Sequence, residues 1–192
     1  MHTDFGAMTW YFPMSVLIIG TYDENGNPNA MNAAWTGTWD KNHIMISLAH
    51  HATTENIDRN MEFTVAFGTT KEVVACDYVG LVSAQREPNK IEKAGWTAVK
   101  AEHVNAPVFE QLPLTLECKV VKKLDVSETG YYLIGEIVNV RADNFILGED
   151  GNPDLTKLQP IIYDPIHNHY YNIGEKVGIA FHDGLQLKNK NV

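Results

Sequence analysis

Apolar positions along this chain recur mostly with a period of two, the spacing of strands rather than of helices. The clearest case is Leu114 to Val121. There Leu114, Leu116, Cys118 and Val120 predict an inward face, and Thr115, Glu117 and Lys119 an outward one. Met14 to Tyr22 (MSVLIIGTY) is an apolar, β-branched run that predicts a strand. It ends at Asp23-Glu24-Asn25-Gly26-Asn27-Pro28, where Asn25-Gly26 can take positive φ and close a hairpin. Asn29 to Trp39 predicts the return strand, with a centre too small and apolar for a solvated surface. His43 to Leu48 predicts a third strand, with Ile44, Ile46 and Leu48 on one face. Glu62 to Gly68 alternates as a strand. Tyr131 to Ala142 follows a turn over Asp125 to Gly130 and is apolar on both sides, so it needs cover on both faces. Pro160 to Tyr163 and Tyr170 to Ile173 predict short strands after a turn at Gly148 to Pro153.

Helical signals are fewer. Thr53 to Asn60 predicts a short helix, with threonine able to cap it and Glu55 in its first turn. Lys71 to Ser83 carries Val73, Val74, Cys76, Tyr78, Val79, Leu81 and Val82, apolar nearly all round, and predicts a buried helix. Asn89 to Ala94 predicts another, ended by Gly95. Five to seven strands with a few helices make a mainly β fold, best met by a closed or partly closed antiparallel barrel.

The 192 residues, 44% apolar, suit one domain that buries about 70% of its unfolded surface. Net charge is −9, and no basic run interrupts it. That argues against nucleic acid and against anionic membrane as partners. Cys76 and Cys118 form no CxxC and no paired spacing, which excludes a disulfide framework or zinc ribbon. Met1 to Gly6 carries His2 and Asp4 rather than a basic, apolar leader, and no apolar stretch approaches a membrane span. A soluble, cytoplasmic protein is expected.

The stretch Asn29 to Asn56 concentrates the candidate chemistry. Ala33 and Ala34 in mid-strand allow a flat ring to lie against the backbone, where N–H and C=O groups can bond its heteroatoms. Trp35 can stack on such a ring, or equally fill the core. Thr53 and Thr54 place hydroxyls at a helix N-terminus, an arrangement that suits a phosphate and also describes an ordinary capped helix. His50 or His51 can add positive charge, while Glu55 opposes it. A phosphorylated, planar cofactor is implied, and flavin mononucleotide (FMN) fits best. Lys90 can hold a phosphate or a flavin carbonyl, although most lysines are solvated surface charges. His167 and His169 share a strand face with Asp164 nearby, but loop histidines explain them better than a metal does. There is no GxSxG, GxGxxG or GxxxxGK[ST], so acyl-transfer, Rossmann and P-loop readings fall away.

The order of these segments resembles the flavin reductase-like family of FMN-binding split-barrel proteins, especially its flavoredoxin-like branch. The resemblance rests on Pro13 to Thr21 with the Asp23…Gly26…Asn29 hairpin, on Asn29-Ala30-Met31-Asn32-Ala33-Ala34-Trp35, and on Ser47…Thr53-Thr54…Ile57. It continues through Ser83…Asn89-Lys90-Ile91, Pro107…Leu116-Glu117-Cys118, Gly135-Glu136-Ile137 and Tyr171…Gly174…Ala180-Phe181…Gly184. It implies a six-stranded antiparallel Greek-key split barrel with a few short helices, forming a homodimer with FMN near the subunit interface. Asn32, Ala33, Ala34 and Trp35 would then run along the isoalloxazine and ribityl chain. Ser47 and Leu48 would border the ribityl, His51, Thr53 and Thr54 would lie at the phosphate, and Ser83 and Lys90 would approach from the far side. Relatives often carry Arg or Lys before the threonine pair, where this chain has His50, His51 and Ala52. FMN affinity is therefore expected to fall as pH rises through the imidazole pKa.

Such a protein takes hydride from NAD(P)H and passes electrons to free flavin, a ferric chelate or a protein partner. It needs no dedicated acid or base, so no catalytic residue is named, and Trp35 and the Tyr170-Tyr171 pair can shield the ring. An NAD(P)H-dependent flavin reductase, a flavoredoxin-like electron carrier without efficient turnover and an acidic, non-flavin β-barrel binding module all remain open.

Overall fold

A computed structural model describes residues 1–127 and 130–188. Its strands are β1 (Met14–Ser15), β2 (Leu17–Tyr22), β3 (Pro28–Ala33), β4 (Thr36–Asp40), β5 (His43–Ala49) and β6 (Glu62–Phe67). They continue as β7 (Ala98–Lys100), β8 (Pro107–Phe109), β9 (Leu114–Ser127), β10 (Gly130–Ala142), β11 (Ile161–Asp164) and β12 (His169–Asn172). The helices are α1 (Ala52–Asn60), α2 (Val73–Leu81), α3 (Lys90–Lys93), α4 (Leu155–Leu158) and α5 (Leu185–Lys188). The turn expected over Asp125 to Gly130 falls partly outside the described residues.

Seven antiparallel strands form the main sheet in the order β3-β2-β6-β9-β10-β5-β4, one more than the six expected. Its two edge strands, β3 and β4, are joined by Ala34 and Trp35 alone. A two-residue link spans at most about 11 Å, so the sheet has to curl until its edges meet. The result is a split barrel whose seam lies at Ala34-Trp35. The return strand expected as one run from Asn29 to Trp39 is therefore two strands. The chain changes partner at the seam, from β2 to β5, where Thr36 N–H donates to Ala34 C=O (2.9 Å) and Ser47 N–H to Trp35 C=O (2.8 Å).

β2 explains its own apolar run. Leu17 and Ile19 point into the barrel with Ile46, Phe63, Val65 and Leu133. Ile18 points outward, under Cys76 and Val79 of α2 and with Trp96 and Phe109. The Met14 to Tyr22 run breaks at Val16, because β1 leaves the main sheet to pair with β11 in a small β1-β11-β12 sheet. Gly20 is needed where β2 passes the β8 segment, since a Cβ there would collide with Thr64 Oγ1 and Pro107 O.

Two face assignments are corrected. Thr115 and Glu117, expected outward, are buried. The 101–106 loop covers Glu117, which accepts from His103 N–H (2.6 Å) and Asn139 Nδ2 (2.8 Å). The helix expected to be buried all round is half exposed: Cys76 and Val79 are buried, but Val74 is 80% and Leu81 76% exposed. No helix among the described residues is long and apolar enough to cross a membrane.

Candidate functional site

A cleft opens at the seam, in two lobes that share Met31, Asn32 and His51. The larger lobe, about 420 Å³, is lined by Ala33, Ala34, Trp35, Ser47 and Leu48 from the barrel. Asp77 of α2 and Tyr163, Asn168 and Tyr170 of the small sheet close it. The smaller lobe, about 240 Å³, is lined by Asn29, Ala52, Thr53, Ser83 and Lys90 and by the C-terminal turn of α2. The fold thus brings ten of the eleven residues singled out from the sequence onto one continuous surface.

The seam lobe is built for a flat group. Ala33 and Ala34 hold back side-chain bulk, and among the described residues the seam edges of β3 and β4 pair with no other strand, leaving backbone groups without a strand partner. Trp35 is 47% exposed, so it is not the core residue that the alternative reading offered. It walls the lobe instead.

The smaller lobe carries the positive charge. Lys90 is 2% exposed, against the expectation of a solvated surface lysine. Its Nζ donates to Val79 C=O (2.8 Å) and Val82 C=O (2.7 Å), at the negative end of the α2 dipole. An ammonium has three donors, and among the described residues the third has no partner. Burial pushes its pKa down from 10.5 to about 8. Across the lobe, the N-terminus of α1 leaves the backbone N–H groups of Ala52 and Thr53 without intrahelical acceptors. Thr53 Oγ1 accepts from Asn29 Nδ2 (2.8 Å) and keeps its own hydrogen to give. Asn29 Oδ1 is buried with no partner among the described residues.

Two expected roles change. His51, not a threonine, is the N-cap of α1. Thr54 Oγ1 accepts from His51 N–H (2.8 Å) and donates to His51 C=O (2.7 Å), so this hydroxyl ties down the cap and lines neither lobe. Burial above all, with the nearby Lys90 charge, pushes the His51 imidazole below its ordinary value. The cation at this end of the cleft is therefore Lys90 rather than His51.

Sequence reasoning passed over Asp77, Tyr163 and Asn29. Asp77 had a signal: it is the only charged residue between Val73 and Val82. Tyr170, named only as a shield, donates its hydroxyl to Asp77 Oδ1 (2.8 Å), while Asn32 Nδ2 donates to Cys76 C=O (3.1 Å). Gly80 lets α2 come this close to β3, because a Cβ there would meet Asn32 Cβ at 2.8 Å. His167 and His169 stack with centroids 5.9 Å apart, and His167 Nδ1 lies 2.7 Å from Asp164 Oδ2.

This geometry has relatives. The flavoredoxin of Desulfovibrio vulgaris (Miyazaki F) superposes with a TM-score of 0.89 at 34% identity, covering 96% of this chain and 100% of that one. Flavoredoxin from Methanosarcina acetivorans superposes with a TM-score of 0.83 at 29% identity, covering 97% and 98%. An FMN-binding domain of a flavin reductase-like enzyme from Shewanella baltica OS155 shares the fold, with a TM-score of 0.74 at 19% identity over 86% and 88%. The sequence pattern described as the flavin reductase like domain matches residues 9–170, all strands of the barrel sheet and both lobes of the cleft, and the chain belongs to that family.

Proposed function

We propose that this protein binds FMN in the seam cleft and acts as a flavin reductase-like oxidoreductase. In this reading it takes electrons from NAD(P)H and passes them to free flavin, a ferric chelate or a protein partner. One observation carries the reading: the cleft is polarised, with a small-residue, open-edged lobe at one end and a buried lysine with a spare donor at the other. FMN has that same division, a flat heteroatom-rich ring at one end and a phosphate at the other. The chain's net charge of −9 repels phosphate at long range, so the local cation is needed.

The residues fit the cofactor. Lys90, the N–H groups of Ala52 and Thr53, and the hydroxyls of Thr53 and Ser83 would hold the phosphate. Ala33 and Ala34 would admit the ring against the strand edges, Trp35 would stack on it, and Ser47 and Leu48 would border the ribityl. Asn32 and His51, shared by both lobes, would face the middle of the molecule. Thr54 would act through the His51 cap. When bound, FMN supplies the two-electron redox chemistry, and the protein supplies position, water exclusion and electrostatics. A homodimer completes the reading, since Val74 and Leu81 leave an apolar strip of α2 uncovered beside the cleft.

An absorption spectrum of the purified protein, with the released chromophore identified by mass, tests the cofactor. One FMN per subunit supports the reading, and a colourless protein that FMN cannot reconstitute overturns it. The likeness to flavoredoxin at 34% identity favours a second reading, an electron carrier without efficient turnover. Steady-state NAD(P)H oxidation with free FMN separates the two.

A further inference from the structure

We propose that Asp77 sets the reduction potential of the flavin and holds it low. This rests on the reading of the seam cleft as the FMN site. Asp77 lines the lobe whose small residues admit a ring, whereas Lys90 lies in the other lobe, where a phosphate would occupy it. The remaining titratable groups facing the seam lobe are Tyr163, Tyr170 and His51. Burial and the hydrogen bond to Asp77 disfavour ionisation of Tyr170, and burial disfavours the charged form of His51. Among the described residues Asp77 is thus the one carboxylate lining that lobe.

The carboxylate is fixed rather than free. Tyr170 brings a hydroxyl from β12 to Asp77 Oδ1 at 2.8 Å, and Asn32 Nδ2 of β3 lies 3.5 Å from that hydroxyl. A hydrogen-bonded chain from Asn32 of β3 through Tyr170 of β12 therefore ends on the carboxylate of α2 at the wall of the ring lobe. Flavin that gains two electrons and one proton leaves its ring with a negative charge at neutral pH. A carboxylate held beside the ring repels that charge and has far less effect on the neutral oxidised ring. The oxidised form is favoured, so the bound flavin is a stronger electron donor than it would be beside a neutral residue. The reaction that reduces it must then supply a strong reductant, and its acceptors can themselves be of low potential.

The test compares wild-type protein, Asp77→Asn and Tyr170→Phe, each loaded with FMN, by FMN titration and by equilibration with a reference dye of known potential. Asp77→Asn is expected to shift the oxidised-to-reduced equilibrium about tenfold toward reduced flavin, about 30 mV for a two-electron couple, with FMN affinity changed less than about threefold. Tyr170→Phe keeps the carboxylate and is expected to stay near the wild-type potential. Asp77→Ser serves as the neutral variant if Asp77→Asn does not fold, and Asp77→Glu is expected to restore the low potential. FMN bound by all variants at one unchanged potential overturns the assignment of Asp77 alone. Equal shifts in Asp77→Asn and Tyr170→Phe also overturn it, since they indicate a packing role. Wild-type protein that takes up no FMN overturns the reading beneath it.

Discussion

FMN binding should weaken in a defined alkaline window because of Lys90. In the empty protein, burial lowers its pKa from 10.5 to about 8. A phosphate dianion beside the ammonium favours the charged form and returns the pKa toward its ordinary value. A group whose pKa is higher in the complex strengthens binding fully below its free-protein pKa, and loses that contribution as pH rises through it. With about 8 in the empty protein and the ordinary value as the upper limit in the complex, affinity is nearly flat at pH 7 and falls by up to about 30-fold by pH 9.5, equivalent to about 2 kcal/mol. The phosphate's own second ionisation, near 6, is complete by pH 7. His51 titrates below 6.5, outside the window. The dependence expected from the imidazole alone is thus moved to higher pH. Quenching of FMN fluorescence on titration, at intervals from pH 7 to 9.5, reads the profile. Lys90→Met should bind at least about tenfold more weakly at pH 7 and show no slope. The variant should still fold. The fall to about 8 corresponds to a burial cost of about 3 kcal/mol at neutral pH, and its relief offsets the two lost bonds to Val79 C=O and Val82 C=O. A wild-type profile that is level from pH 7 to 9.5, or a Lys90→Met profile that keeps the slope, refutes the role given to Lys90.

Trp35→Ala should leave the melting temperature of the FMN-free protein within about 4 °C, because the indole is half exposed, yet weaken FMN binding about tenfold in the same fluorescence titration. Gly80→Ala gains about 1 kcal/mol of helix propensity but drives a Cβ onto that of Asn32, an overpacking cost of about 1–3 kcal/mol. Both the melting temperature and the FMN affinity should fall, and a more stable protein with unchanged affinity would show that α2 and β3 have room to part. Burial pushes the Glu117 carboxyl up, but the hydrogen bonds from Asn139 and His103 outweigh it and hold the pKa below its ordinary value. Its stabilisation is therefore present above about 4.5 and lost on acidification below that. Glu117→Ala should lower the melting temperature at pH 7 by roughly 6–12 °C, from about 3 kcal/mol of orphaned hydrogen bonds, while the difference from wild type narrows at pH 4.

The alternating segments were legible because period-two burial is a local property. The Asn25-Gly26 hairpin is of that kind: Gly26 takes a φ of +79°, and Asp23 Oδ1 caps the turn by accepting from the N–H groups of Asn25 and Asn27. Burial imposed by distant segments was not legible. Glu117 reads as a surface residue until the 101–106 loop folds over it. Lys90 reads as a solvated charge until the α2 carbonyls need a donor. The reverse error occurred for α2, whose all-round apolar surface predicted burial that one subunit does not provide. Val74 and Leu81 mark the face where the homodimer proposed above would supply it. The break at Ala34-Trp35 escaped pattern reading for a related reason. Nothing in Asn29 to Trp39 marks a change of hydrogen-bonding partner, and only the strand order reveals it.

That break connects the fold to the cleft. A fully closed barrel would pair β3 with β4 and satisfy their backbone groups internally. Here the two strands meet only through a two-residue link, so part of each edge stays unpaired beside Ala33 and Ala34. Open edges invite association with other strands, and proteins usually cover or shorten them. In this chain α2 and the small β1-β11-β12 sheet cover the opening with Asp77, Tyr163 and Tyr170. The cover touches β3 at Asn32 but leaves about 420 Å³ between the layers beside Ala33 and Ala34. A ligand that fills this gap with heteroatoms along one edge would satisfy the seam and close the barrel, so its binding free energy should also appear as fold stability. Saturating FMN at about 100 times its Kd should raise the unfolding free energy by about 2.7 kcal/mol. If FMN also bridges the edges, amide protons of β3 and β4 should gain more protection from exchange than those of β6 and β9 in the opposite wall. Uniform protection across the sheet would mean that the ligand stabilises the fold without completing the barrel.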